Sequence, residues 1–378
     1  IIYIMKNRIY KIAIFISDEG FGHVVRQRSI IKELLKNFKK IQITVVTSKN
    51  ILVLNEYFGD SINYEKYNNR IHTVKKNNGE LDVNATRKVF KNWTENHHKT
   101  FKKFEKKFKD IDLIISDCVP EAFALADKIG CKSFSISHFT WDWFFEEVCK
   151  ISYERTAIMR KYLNLAEKFY FPPFTEKKIL TRYKSKTKHV NFIVNKFAKK
   201  NQFFTRKLKC LIMDNGTKNL SNLISDTIPF LKKIDECIFY IGTYSLEKKI
   251  VDEIIMSENL VPVTGLKNMH SYIPSMDMII SRGGFNSITE CITLKKPAMF
   301  AREKNNLEVY SNIKQLLKKG VASSIKHNER KRKFPKRFKK FIEKEIRNIK
   351  KNLNLSAFKN NGAKQIVSDL KKYLDERN

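Results

Sequence analysis

Residues 9–27 read IYKIAIFISDEGFGHVVRQ. The run Ile9 to Ile16 is apolar apart from Lys11, as expected of a strand buried on both faces. It ends in a turn holding two of the chain's twelve glycines, Gly20 and Gly22, followed by His23 and Arg26. The stretch VVRQRSIIKELLKNF then has helical periodicity. Strand, glycine turn and helix open a βαβ unit, and such units build parallel sheets covered by helices. Glycines let a ligand approach the backbone, and a helix start is a natural anion site. His23 is a candidate base near neutral pH. Read as structure alone, the stretch is a strand–helix turn with a surface histidine. It lacks the full spacing of a dinucleotide fingerprint, and no acidic residue closes the second strand, so an NAD site is not expected.

The same rhythm continues outward. QITVVTS is a second strand. Residues 85–109 predict one long helix, with Phe90, Trp93, Phe101, Phe104 and Phe108 near helical spacing. DLIISD (112–117), the helix EAFALADKIG and the strand KSFSIS follow. At YFPPF, Pro172 and Pro173 break the pattern, and residues 175–206 read as a domain connection. A second series then runs through KCLIMDNG, CIFYIG, VPVTG, DMIIS and PAMFA, with helices between most of them. GAKQIVSDLKKYL is a terminal amphipathic helix. The length of 378 residues suits two domains. They are placed at 1–190 and 191–355, with the helix in 356–378 packing back toward the first. The predicted class is α/β: two doubly wound Rossmann-like domains facing a central cleft, with ligands at the carboxyl ends of the strands.

The second domain holds a partner for the first turn. Residues 278–303 read MIISRGGFNSITECITLKKPAMFARE. A strand runs into Arg282-Gly283-Gly284, and a helix is expected from Asn286 or Ser287. The glycines would admit a diphosphate to the backbone. Glu290, one turn in, suits two ribose hydroxyls. Ser287-x-x-Glu290 is also a capping box, which explains both residues without a ligand.

GFGHVVR and SRGGFNSITE, with DLIISDCVPEAFALADKIG and SISHFTWDWFF between them, resemble the GT-B glycosyltransferases. The enzyme that adds N-acetylglucosamine to the peptidoglycan lipid precursor and the glycolipid synthases are the types most similar. The DCVPEA and FTWDW segments also resemble the glycosyltransferase-like N-terminal half of plant arabinokinase. The resemblance spans residues 8–325 and the terminal helix. It implies a hexosyltransferase that uses a nucleotide-diphosphate sugar, UDP-sugar by default, with no metal and no cofactor beyond that co-substrate. By the resemblance, Gly20, Gly22 and His23 face the donor phosphates and acceptor, and Arg26, one turn on, is expected among the nucleotide-sugar-binding residues. Gly216 and Thr217 match the small-residue turn near the diphosphate. Gly265 precedes LKNMHSYIPSMD, whose backbone would hold the base. Gly283, Gly284, Asn286, Ser287 and Glu290 match the nucleotide-sugar signature. Glu308 and Asn312 sit where relatives contact sugar hydroxyls, although Val309 stands where several relatives have Gln. Arg282 or Arg302 would stabilise the leaving phosphates. His23 would take the acceptor proton, oriented by Asp117. Read structurally, Asp117 caps the following helix. His138, Trp141 and Asp142 are candidates for an acceptor platform, or they pack a domain seam. A nucleotide-sugar hydrolase of the pseudaminic acid pathway type, and a non-catalytic sugar or nucleotide binder, are the alternative functions.

Composition bounds the partners. The net charge of +35 fits a phosphate-bearing partner or a codon bias toward Lys, Asn and Ile. Residues 330–351 carry twelve Lys or Arg against two Glu, with Phe338, Phe341, Ile342, Ile346, Ile349 and Leu353 on one helical face. KTFKKFEKKFK (99–109) repeats the pattern. Such helices suit an anionic membrane surface. Nucleic acid is not an expected partner, since no recognised motif accompanies the charge. Six scattered cysteines form no CxxC pair, which argues against a zinc ribbon or disulfide framework. No apolar run reaches the roughly 18 residues of a membrane span. The expectation is a cytoplasmic protein, peripheral at the inner face of the membrane.

Overall fold

A computed structural model describes residues 8–376, apart from 69, 70, 101, 196–202, 204, 214–217, 304 and 327–329. The chain forms two compact units. The first takes the chain up to Val74, then Asp82–Asn195, and then Lys359 onward. The second takes Lys75–Leu81 and the chain between those last two pieces, ending at Phe358.

The first unit is a seven-stranded sheet, β1 (Tyr10–Ile16), β2 (Ile41–Thr47), β3 (Asn63–Lys66), β4 (Leu113–Asp117), β5 (Lys132–Ile136), β6 (Lys168–Phe171) and β7 (Thr187–His189). Its spatial order is β3-β2-β1-β4-β5-β6-β7, and every pairing is parallel. Strand alternation gives each face its own core. Ile12, Ile14 and Ile16 pack with Leu34 of α1 (Phe21–Asn37) and with Ile366, Val367, Leu370 and Leu374 of the terminal helix Gly362–Asp375. Ala13 and Phe15 face the other way, onto Phe104, Phe108, Val119 and Leu125. Such all-apolar strands follow from burial on both sides. Asp369 anchors the terminal helix, accepting from the Tyr170 hydroxyl at 2.7 Å and from Lys168 at 3.1 Å.

Two readings need correction. The long helix 85–109 is three pieces: α2 (Val83–Asn96), a 3-10 turn at His97–Thr100, and α3 (Lys102–Lys107). Residues before 196 do not form a connection. They supply β7 and the helix Lys177–Arg182 of the first unit, since Ile179 and Tyr183 bury apolar surface that the lysine-rich composition hides.

The second unit is a six-stranded parallel sheet of β8 (Leu208–Ile212), β9 (Cys237–Gly242), β10 (Leu260–Val263), β11 (Met278–Ser281), β12 (Ala298–Ala301) and β13 (Ser323–Ile325). Its order is β10-β9-β8-β11-β12-β13. The basic segment forms the helices Arg330–Lys340 and Ile346–Leu355, joined by a π turn at Phe341–Glu345. Its apolar side is occupied. Phe334, Phe338, Phe341, Ile349 and Leu353 are buried, with Phe334 against Phe230 and Phe338 against Phe239. Phe104 and Phe108 of the other basic stretch pack edge-on against Phe15, and Phe104 also against Tyr67. The described apolar residues of both basic stretches thus pack mostly inward, although Leu355 is exposed at the end of its helix. No helix among the described residues is long and apolar enough to cross a membrane. All six cysteines are free and buried.

Candidate active site

In each sheet the strand order reverses once, between β1 and β4 and between β8 and β11. Open α/β sheets bind ligands outside the carboxyl ends of strands at such switch points. Both sequence motifs follow strands that flank one.

In the first unit, β1 leads into α1 at Phe21, with Gly20 as N-cap. The helix begins earlier than the sequence suggested, so Gly22 and His23 lie in its first turn. β4 ends at Asp117, whose carbonyl accepts from the Ser17 amide at 3.0 Å. This bond holds the ends of β1 and β4 together. His23 Nδ1 lies 2.7 Å from Asp117 Oδ1. Arg26 donates from Nε to Oδ2 at 3.0 Å and from Nη2 to Oδ1 at 2.6 Å. Gln27 Nε2 donates to Oδ2 at 2.8 Å. Four hydrogen bonds converge on a carboxylate that is 0% exposed. Burial alone would raise its pKa, but the Arg26 guanidinium and His23 outweigh this and hold the carboxyl well below its ordinary range.

Asp117 is not a helix cap. The helix Glu121–Lys128 starts after Pro120, with no side-chain cap. Cys118 instead turns the chain sharply, with φ of 58° in the left-handed region. Its carbonyl accepts from Trp141 Nε1 at 2.9 Å. This explains Trp141, which is 1% exposed and supports the strained turn behind Asp117. Asp142 is fully buried and bound by Arg182 and by the Tyr183 hydroxyl at 2.9 Å. Trp141 and Asp142 are thus interior supports, not an acceptor platform. His138 joins the histidine cluster, with Nδ1 3.1 Å from Arg26 Nη1. Arg26 is 1% exposed and spent on Asp117, so it is a structural cation and not a phosphate ligand.

The ligand atoms of His23, Asp117 and Cys118 lie within 4.8 Å of one another. Burial pushes the Cys118 thiol up, away from a thiolate ligand, and Arg26 already meets the charge of Asp117. The set does not suit a cation.

In the second unit, β11 runs through Arg282 to Gly283 and Gly284, and the helix Phe285–Thr293 starts at once with Gly284 as N-cap. No side chain caps this helix, which removes the capping box as the reason for Ser287 and Glu290. Gly283 is required by its fold: φ is 83°, and a Cβ there would lie 2.7 Å from Ile313 Cδ1. Gly265 is N-cap of the helix Leu266–Tyr272, with φ of 77°. From that helix, His270 Nδ1 stands 3.1 Å from Glu290 Oε1. Glu290 is 2% exposed, and Oε1 makes no aligned hydrogen bond among the described residues. Arg282 Nε is 2.5 Å from Glu303 Oε1, and Lys75 Nζ is 3.6 Å from Glu303 Oε2. Glu303 also accepts from Asn306 Nδ2 at 2.5 Å. Arg302 donates from Nε to Ser324 Oγ at 3.0 Å. Both arginines therefore already have partners within their own unit. Asn286 and Ser287 are half-buried in the first helical turn. Asn312 Nδ2 donates to Glu308 Oε1 at 2.9 Å, which fixes the pair at the start of Leu307–Lys318. Gly216 and Thr217 lie outside the described residues.

Sequence reasoning missed Gln27, His270, Glu303 and Lys75. Glu303 directly follows Arg302 at a strand end, and an acidic residue there was a usable signal. His270 lay in a segment read only for its backbone. The ion pairs of His270 with Glu290 and of Lys75 with Glu303 join residues 20 and 228 positions apart, which no local pattern reports.

Residues 215–371 match the sequence profile of the glycosyltransferase family 28 C-terminal domain. No curated protein matches the chain. Solved structures match nearly throughout. CalG4, the calicheamicin glycosyltransferase, superposes with TM-score 0.66 at 12% identity, over 98% of this chain and 99% of that one. MurG of Acinetobacter baumannii gives 0.62 at 14%, over 96% and 99%. Phytolacca americana UGT2, solved with UDP-2fluoro-glucose and pterostilbene, gives 0.64 at 12%, over 96% and 99%. At these identities the likeness is one of fold, and the fold is GT-B. The family 28 profile over the second part of the chain, together with this fold, supports glycosyl transfer as the chemistry. The profile covers the second unit from residue 215 onward, after β8, and reaches into the terminal helix.

Proposed function

We propose that the protein transfers a hexosyl group from a nucleotide-diphosphate sugar, by default a UDP-sugar, to a hydroxyl-bearing acceptor. The observation that carries this reading is the 2.7 Å contact between His23 and the buried Asp117 at the switch point of the first sheet. A carboxylate only accepts, so the adjoining Nδ1 carries a hydrogen and Nε2 keeps its lone pair. His23 Nε2 takes the proton as the acceptor oxygen bonds to the anomeric carbon. The bond from that carbon to the diphosphate breaks, and the nucleoside diphosphate leaves with the electron pair. Asp117 holds the ring and offsets the imidazolium that forms. On the second unit, the Gly283-Gly284 turn and the helix start after it receive the diphosphate, Glu290 takes ribose hydroxyls, and Glu308 with Asn312 meets the sugar. The complex of UGT2 with UDP-2fluoro-glucose supports a UDP-sugar. No metal enters this scheme.

The test is nucleotide release from UDP-, GDP- and dTDP-sugars, with and without a lipid extract and simple glycosides. Release that depends on an acceptor supports transfer. Equal release in water alone would establish the hydrolase instead, and binding without release a non-catalytic module. If the acceptor is a lipid, attachment to the cytoplasmic leaflet would use the exposed cations of residues 333–351, each contributing about 1 kcal/mol near an anionic surface. Cosedimentation with phosphatidylserine vesicles that vanishes at high salt is the expected result; salt-resistant binding would refute an electrostatic mode.

A further inference from the structure

We propose that the first unit carries a further ligand site, for a small phosphate ester bearing hydroxyl groups, at the amino ends of β1, β2 and β3. A cavity of about 420 Å³ opens there, covered on one side by Phe108 and Ile111 just after α3. Small-molecule sites have such volumes. Its floor is the sheet. On this face Ala13, Phe15 and Val46 belong to the apolar core. Toward the amino ends the same face turns polar, with Lys11, Gln42, Thr44 and Asn63 lining the cavity. The parallel register sets Lys11 beside Gln42 and Thr44 beside Asn63. Strands about 5 Å apart and a two-residue repeat of about 7 Å gather these four side chains into one small patch.

The polar groups of this patch are unspent. The Lys11 ammonium and the side chains of Gln42, Thr44 and Asn63 have no hydrogen bond or ion pair among the described residues. Lys11 is half-buried, the one charge in an otherwise apolar strand, and Thr44 is 9% exposed. The carboxylates nearby are engaged elsewhere. Asp112 accepts from the Lys11 amide at 2.8 Å and pairs with Arg8. Glu65, on the same face of the sheet, pairs with Lys103 and Lys107. Taking a cation partly out of water without a partner is costly, and no group inside the unit offsets it. Lys11 offers three N–H hydrogens, Thr44 one O–H, and each amide two N–H. A phosphate ester brings nearly two negative charges and three strong acceptor oxygens to such a donor set. Asp110 lines the exposed mouth of the cavity. There it repels an anion and accepts from hydroxyls, so the ligand lies with its phosphate toward Lys11 and its hydroxyls outward. A monosaccharide phosphate has this shape and chemistry. The site is separate from the switch-point loop: β1 carries Lys11 at one end and Ile16, the register partner of Asp117, at the other, about 17 Å along the strand.

The experiment titrates glucose 6-phosphate into the full chain by calorimetry, with and without UDP. Saturable binding that UDP leaves unchanged is expected. Inorganic phosphate and free glucose should each bind at least about tenfold more weakly, since each lacks one set of contacts. Lys11→Met keeps the apolar stem and removes the charge. It should weaken the ester at least about tenfold, the value of a hydrogen bond to a charged group, with the thermal melt preserved. Asn63→Asp, at an exposed position of β3, sets a carboxylate beside Thr44 and should weaken the ester by a similar factor; it decides the matter should Lys11→Met fail to fold. Absence of binding to the wild type overturns the proposal, as does wild-type affinity in either folded variant. Displacement by UDP overturns it too, by assigning the ester to a nucleotide site. Phosphate or glucose binding as tightly as the ester would likewise refute an ester site. No turnover is measured, so the outcome is independent of whether the protein transfers a sugar; the release assay tests that separately.

Discussion

The two loops at the two switch points invite comparison. Each follows a central parallel strand, opens a helix, and places a buried carboxylate close to an imidazole. Their electrostatics differ. Asp117 has four hydrogen bonds and a guanidinium, so its charge is fully met inside the first unit. Glu290 has one imidazole at 3.1 Å and no aligned hydrogen bond to Oε1 among the described residues. A satisfied carboxylate orients and does not bind; an under-satisfied buried one has capacity left for a ligand hydroxyl. Under the proposed transfer, the difference would give chemistry to the first loop and recognition to the second. The comparison breaks if variants of the two loops have interchangeable effects.

The largest effect is expected at His23. Removing the imidazole leaves Asp117 with Arg26 and Gln27, so the unit should still fold. His23→Ala is expected to lower turnover by about 10²–10⁴-fold, the usual contribution of general base catalysis. Nucleotide affinity by calorimetry should not change. Retained turnover would end the assignment of chemistry to this loop.

Asp117→Asn should act on stability as well. The amide would turn a donor toward Arg26, His23 or Gln27 and leave a buried guanidinium unpaired, at a cost of about 3–5 kcal/mol. The sign with pH is fixed by the depressed folded pKa of Asp117. Its stabilisation is present above the unfolded value of about 4 and is lost as pH falls below that, toward the folded value. Urea titrations should therefore show the gap between wild type and Asp117→Asn narrowing on acidification below about pH 4. A gap that stays constant or widens would mean that the carboxylate's charge is not what the cluster uses.

Much of this was legible beforehand, and the reason is physical. βαβ rhythm comes from local periodicity, so both parallel sheets and both switch-point loops could be read from strings such as IYKIAIFIS and DMIIS. His23 and Asp117 could be named because each ends an apolar run. Their company could not. Arg26 looked like a phosphate ligand because it sits one turn into a helix, but the side chain runs inward to a carboxylate 91 residues away. Trp141 and Asp142 looked like a platform because aromatic and acidic residues suit sugars; burial, which a local string does not report, makes them supports. The basic helix kept its amphipathic pattern, yet that pattern serves contacts with Phe230 and Phe239.

On the second loop, Gly283→Ala tests geometry. The left-handed backbone costs an L-residue about 1–2 kcal/mol, and the 2.7 Å approach to Ile313 adds about 1–3 kcal/mol of overpacking. Thermal melts should show that loss, together with weaker UDP binding. Unchanged UDP affinity in a destabilised variant would separate the turn from the diphosphate.

The smallest effect is expected at His270, and it sharpens the comparison most. If His270 only steadies Glu290, its loss frees one carboxylate oxygen without removing the carboxylate. Glu290→Ala should weaken UDP by the value of a hydrogen bond to a charged group, about 1.5–3 kcal/mol, and leave 2′,3′-dideoxy-UDP almost unaffected. His270→Leu should weaken UDP by less, about 0.5–1.5 kcal/mol, with the same preference for the ribose form. His270→Asn should recover most of it, because the Asn amide nitrogen can take the place of Nδ1. Equal losses for UDP and the dideoxy analogue would place both residues away from the ribose, and the second carboxylate would then be a structural charge like the first.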